Sequence, residues 1–335
     1  MAYVTGTANS LTDLLTALQA ACTGNGWTLS GNVLHKGTCY ADVSLGTSAD
    51  SHHFPNAALK VRAGNGIDGS NALTDALTDT AGAMHMGPIP NRAVFTDWDW
   101  PVTYHIHVLS SPDEVYLLAN YGSGQYWQNL CFGQSPAPGN AGTGNWVSAV
   151  MGADMSGELV PQSISIRPIG GIISGFNAFY VNCLPFFWGD SFSSNVVNAL
   201  NSRMHGAIHS TTGAAIWTSG TSWLTNATFD EGQVSASRTV DPLLSYTPNA
   251  WNNETALLPI QILQGRLSAK VSLIGELQHS RFCRNDFIDD GALITLGSDR
   301  WKVYPAYRKD VVNRNGGDGI THSGTMAIAI RYDGP

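Results

Sequence analysis

Gly189-Asp190-Ser191 follows an apolar run and precedes a helical pattern, the setting in which a strand-to-helix turn exposes a nucleophilic serine. Such a serine needs a histidine base that is itself oriented by a carboxylate. The late pair Asp318 and His322 is spaced one residue longer than the Asp-x-x-His arrangement that would serve it, and no Gly-x-Asn-Asp block follows to complete an oxyanion hole. The set is incomplete, so no catalytic residue is assigned.

Histidines are the next residues with ligand chemistry. His205 and His209 fall four apart on a helical pattern, but Gly206 stands where a zinc protease places its general-base glutamate. His105 and His107 share one face of a strand pattern without a third ligand at a useful spacing, so a satisfied core histidine is the commoner reading. No metal site is assigned. Gly64, Gly66 and Gly69 satisfy G-x-G-x-x-G after the short apolar run Leu59 to Val61. The βαβ unit and the acidic residue that a dinucleotide site requires are missing around Met84 to Pro90, which leaves a glycine-rich loop and no cofactor. Asp97-Trp98-Asp99-Trp100 offers aromatic faces to a sugar ring and carboxylates to its hydroxyls. Trp98 and Trp100 are therefore the candidate glycan-binding residues, set against the commoner place of strand-flanking tryptophans in a core.

Composition bounds the partners. Charged residues make up 13% of the 335, against about 25% in an ordinary soluble domain, and Gly, Ser, Thr and Asn take their place. Such a polar, weakly repulsive surface suits packing against other subunits, or a β-rich domain with polar turns. A net charge of −8 speaks against nucleic acid, and the densest basic stretch, Arg300 to Lys309, reads as a solvated strand face interrupted by aromatics. Five cysteines without a CxxC pair predict neither a disulfide framework nor a zinc site. Residues 1–9 lack a basic segment followed by an apolar core, and no apolar run is long enough to span a membrane, so folding in a reducing cytoplasm is expected.

The elements that must position these residues are mostly strands. Ser10 as N-cap, Asp13 in capping-box position, and Leu11, Leu14, Leu15, Leu18 and Cys22 on one face predict a helix ending at Gly24. Trp27 to Leu29 and Val33-Leu34 then flank a turn at Ser30-Gly31-Asn32, and Cys39 to Leu45 follows as a strand. A short helix is expected through Leu73 and Leu77. Thr103 to Leu109, Val115 to Tyr121 and Gln125 to Phe132, joined by tight turns, predict an antiparallel meander. Strands at Ser163 to Arg167 and Phe176 to Phe187, a helix over Asn195 to Ile208, and loops with short edge strands from Thr211 to Asn253 follow, before apolar character resumes over Leu257 to Ile274. The chain closes on two strand patterns, one through Trp301 and Val303 and one through Met326, Ile328 and Ile330, with Asn315 to Gly319 as the reversal. A final strand so close to the terminus is placed to join a neighbour's edge.

The opening MAYVTGTANSLTDLLTALQAACTGNGWTLSGNVLHKG, the central PVTYHIHVLSSPDEVYLLANY followed by QYWQNLCFGQSPAPGNAGTGNW, and the closing DRWKVYPAYRKD with HSGTMAIAIRYDGP resemble a family of virion structural proteins of tailed bacteriophages. The resemblance implies a non-enzymatic building block of the particle, at the tail tip or baseplate, assembled in the host cytoplasm as a ring or trimer with other tail proteins. It transfers no catalytic, metal or cofactor residues. The expected architecture is a β-rich α+β protein: a helix-hairpin module over 1–46, a β-rich central domain over 47–190, a helix and loop-rich insertion over 191–256, and a C-terminal β segment over 257–335. A receptor- or glycan-binding tail module using Trp98 and Trp100 on host cell-surface polysaccharide is the alternative, and a GDS-type envelope esterase on Ser191 the second.

Overall fold

The computed structural model describes residues 1–46, 58–74, 84–87, 98–135, 144–149, 151–153, 159–161, 186–187, 234–236, 255–266, 270–314 and 322–335. The chain opens with β1 (Ala2–Ala8), α1 (Leu11–Thr23), β2 (Thr28–Ser30), β3 (Val33–Lys36), β4 (Cys39–Gly46), β5 (Ala58–Gly64), the short β6 (Gly66–Ile67) and β7 (Leu73–Thr74), and β8 (Met84–Met86). Next come β9 (Val102–Leu109), β10 (Glu114–Tyr121), β11 (Tyr126–Gln134), β12 (Asn145–Ala149), β13 (Met151–Ala153), β14 (Leu159–Pro161), β15 (Phe186–Phe187) and β16 (Val234–Ala236). The C-terminal part supplies β17 (Leu258–Arg266), β18 (Lys270–Arg284), β19 (Leu293–Leu296), β20 (Asp299–Pro305) and β21 (Met326–Arg331).

These strands form a central sheet β1-β9-β10-β11-β12-β15, a second sheet β14-β13-β8-β5-β4-β3-β2, and a third sheet β16-β17-β18-β21-β20-β19. Their ladders are antiparallel throughout the described residues. The protein is thus β-rich with antiparallel sheets and one short N-terminal helix among the described residues. The helix expected over Asn195 to Ile208 lies outside them, as does the strand expected at Ser163 to Arg167. Of the expected Phe176 to Phe187 strand, only the last two residues are described, as β15.

Helix α1 follows its sequence signals. Ser10 Oγ accepts the Asp13 N–H at 3.0 Å, and the Asp13 carboxylate reaches back to the Asn9 N–H at 3.0 Å, one residue before the position a capping box would use. Leu11, Leu14, Leu18 and Cys22 are buried where the helix packs against the central and second sheets, whereas Leu15 is only partly covered. Trp27, just past the helix, meets Phe132 edge-on at 5.4 Å and joins the second sheet to the central one.

The central sheet is covered on both faces. Period two puts Ile106, Val108, Leu117, Leu130, Phe132 and Val147 toward the second sheet. The opposite face carries His105, His107, Glu114, Tyr116, Trp127 and Asn129 toward the third sheet. One core continues through all three sheets.

Three expectations are corrected here. Leu73 belongs to strand β7, paired with β6, rather than to a helix. The final strand β21 is no edge: it lies between β18 and β20, with Met326, Ile328 and Ile330 in the main core and Ala327 and Ala329 in a second cluster with Cys283, Trp301 and Val303. The Arg300 to Lys309 stretch is not a solvated face either, because Trp301, Val303, Tyr304, Ala306 and Tyr307 are all buried by clusters on both sides of β20. The residues 315–319 of the expected reversal lie outside the described residues, and the strands they join, β20 and β21, pair antiparallel as expected.

Candidate functional site

The polar face of the central sheet gathers the sequence's two strand histidines. Pairing of β1 with β9 sets Tyr3 opposite His107 and Thr5 opposite His105, and period two keeps all four on the face toward the third sheet. The Tyr3 hydroxyl lies 2.6 Å from His105 Nδ1, and the Tyr304 hydroxyl lies 2.8 Å from His107 Nε2. Tyr332 meets Tyr3 edge-on at 4.9 Å, Trp127 stacks on His105 at 5.6 Å, and Trp127 is 5.3 Å from Tyr304. Lys302 closes this aromatic group, its Nζ 5.4 Å from the Tyr3 ring centre and 5.3 Å from that of Tyr332.

Burial sets the charge state. Desolvation, helped by the positive charge of Lys302, lowers His105 to about 4. Desolvation and the neighbouring His105 lower His107 to about 3, against a small opposing effect of the Arg331 main chain. Burial also lowers Lys302 and raises Tyr304 well above the ordinary phenol. Both imidazoles are therefore neutral near pH 7, each with a ring nitrogen committed to a phenol. Among the described residues no group of three or more His, Cys, Asp or Glu side chains could hold a metal ion. The arrangement is a hydrogen-bonded aromatic seam between two sheets, and its chemistry is that of packing and orientation.

The tryptophan candidates sit at a different place, near the β10–β11 turn. Trp98 is 6% exposed and packs at 5.4 Å against both Trp100 and Tyr121, so its ring is committed to the core. Trp100 is half-buried. Asp99 is exposed, and its Oδ1 accepts the Gly122 N–H at 2.6 Å, a bond that holds the carboxyl below its ordinary range. Along the same end of the molecule Tyr121 stacks on Tyr126 at 5.6 Å, and the Arg308 guanidinium lies 5.4 Å over Tyr126.

The remaining motifs separate. Gly64 ends β5, Gly66 starts β6, and Gly69 lies in the β6–β7 hairpin, where Asp68 accepts from the N–H groups of Ser70 and Ala72. That is an Asx-type turn with a strand after it, as expected of a glycine-rich loop. His322 accepts the Gly324 N–H at 3.1 Å and stands 3.8 Å from Asp310, whose carboxylate also holds the N–H groups of Val312 and Asn313. Ser191, His205, His209 and Asp318 lie outside the described residues. Cys22, Cys39, Cys131 and Cys283 are free and buried, and burial pushes the thiols of Cys22 and Cys283 up to about 12.

Sequence reasoning missed the first strand and with it Tyr3. The signal was present as alternation in Ala2-Tyr3-Val4-Thr5-Gly6-Thr7, muted by small residues. It also passed over Glu114, which follows Asp113 in an apparent turn yet is fully buried. No protein-family model matches the chain, and no curated protein matches it either.

Proposed function

We propose that the chain is a structural subunit of a tailed-phage virion, at the tail tip or baseplate, assembling through polar, weakly charged interfaces. The observation that carries this reading is the outer edge of the third sheet. Strand β19 ends that sheet's order and exposes Leu293 at 46% and Leu296 at 63%. Phe287, Val311 and Val312 are exposed on two turns that Lys309 ties together by donating to the Ile288 carbonyl at 2.9 Å. An apolar strand at a sheet edge is an aggregation liability in a protein that stays alone and a joining surface in one that assembles. The opening, central and closing landmarks of the sequence support the same reading by resemblance.

Replacing Leu293 and Leu296 together by glutamate puts charge on this edge without touching the core. The double variant is expected to fold and to be lost from purified particles. Incorporation at the wild-type level would remove the edge as the assembly surface. A receptor- or glycan-binding tail module is the second reading, favoured by the half-buried Trp100 beside the exposed Asp99. On this geometry Trp100, rather than the core-packed Trp98, would present its ring to a sugar.

A further inference from the structure

Strand β18 does not run evenly along β17. Pro259 faces Arg281 while the next residue, Ile260, faces Leu277, so Gln278, His279 and Ser280 are additional residues on β18. A bulge of this kind turns main-chain donors and acceptors out of the ladder, and they must be satisfied elsewhere. Here the donors are taken by one side chain of the central sheet: Glu114 Oε1 accepts the Gln278 N–H at 2.8 Å, and Oε2 accepts the His279 N–H at 3.1 Å. The acceptors are taken by Arg281, whose Nη1 donates to the carbonyls of Leu277, Gln278 and Ser280 at 2.9, 3.1 and 2.7 Å. The Tyr116 hydroxyl lies 2.6 Å from Glu114 Oε2 and 3.0 Å from Ser280 Oγ, and His279 Nε2 lies 3.1 Å from the Pro112 carbonyl.

We propose that Glu114 is a proton-controlled latch between the central and third sheets, closed over the β18 bulge when its carboxyl is protonated and loosened when it ionises. The carboxyl is fully buried, and no cationic side chain among the described residues is hydrogen-bonded to it. Arg281, whose charge does reach it, is turned to main-chain carbonyls. Ionising a carboxyl there costs its hydration, which three hydrogen bonds recover only in part. Burial accordingly outweighs the Tyr116 hydroxyl and the two N–H groups and raises Glu114 to about 7. Among the described residues, the other titratable and charged groups around it are Tyr116 on its own strand, Cys131 on β11, His279 and Arg281 on β18, Asp113 in the turn before β10 and Cys39 at the start of β4. Tyr116 and both thiols are raised by burial and stay protonated through neutral pH. His279 is lowered by burial, so it gains charge on the acid side, with the opposite sign to Glu114.

A carboxyl whose folded value of about 7 lies above its ordinary 4.5 contributes stability that is full below pH 4.5 and is lost as pH rises through 7. Amide exchange over Gln278–Ser280, corrected for the intrinsic pH dependence of exchange, reads this directly. Protection in the wild-type protein is expected to fall on the order of a hundredfold between pH 5 and pH 8, whereas in Glu114→Gln that fall is absent and only the small rise that His279 gives on the acid side remains. A flat wild-type profile, or the same fall in the variant, would overturn the latch. Carbon-13 titration of the wild-type glutamate carboxyls needs no variant: one midpoint near 7 supports the proposal, and every midpoint near 4.5 ends it.

Discussion

His107 shows how a residue that looks ligand-like becomes part of a core. It is fully buried, its Nε2 is paired with the Tyr304 hydroxyl at 2.8 Å, and burial holds it at about 3. Because that value lies below the ordinary 6.5, the unfolded chain takes up the proton first. The stability His107 contributes is full above pH 6.5 and is lost as pH falls from 6.5 toward 3, on the order of a few kcal/mol in all. His105, lowered to about 4, acts with the same sign. Urea unfolding between pH 4 and pH 7 should show the wild type weakening on acidification and His107→Gln weakening less. Parallel slopes would mean that the imidazole is not what acid attacks. The pairing of His105 with His107 on one face was legible in the sequence. Their phenol partners were not, because Tyr304 is 197 positions from His107 and only the stacking of sheets brings it there.

Elements were legible wherever the signal was local. Capping at Ser10 and the 3.6-residue stripe gave α1, and tight turns delimited β9, β10 and β11 almost to the residue. The faces of those strands were not readable, because Tyr116, Leu117 and Leu118 are buried in succession and alternation disappears when both sides of a sheet are covered. For the same reason β20 read as half-solvated, although its two faces serve two different apolar clusters. Trp98 was ambiguous because its environment is set by Tyr121, a residue on another strand. The crowding of the central sheet yields a test at this scale. A Cβ on Gly133 would stand 2.6 Å from the Asp113 carbonyl, 2.9 Å from the Glu114 Cα and 3.0 Å from the Trp146 ring. Two of those atoms are main chain at the start of the paired strand and in the turn just before it and cannot swing away, so Gly133→Ala should cost about 1–3 kcal/mol in denaturant unfolding. A neutral result would show that the β10–β11 pair yields more easily than this packing implies.

At the scale of the whole molecule, the described residues divide their chemistry between an inside and an edge. The inside is three stacked sheets joined by pairs of polar groups: phenols on imidazoles, and Glu114 on the β18 bulge. The edge is apolar, and its exposed residues cluster on the outer strand of the third sheet and the turns beside it. The exposed apolar edge is the feature that supports the proposed assembling subunit. Imaging purified particles labelled with an antibody against this chain tests that account most directly. Label at the distal end of the tail is the predicted result. Absence of label from intact and opened particles alike would contradict it.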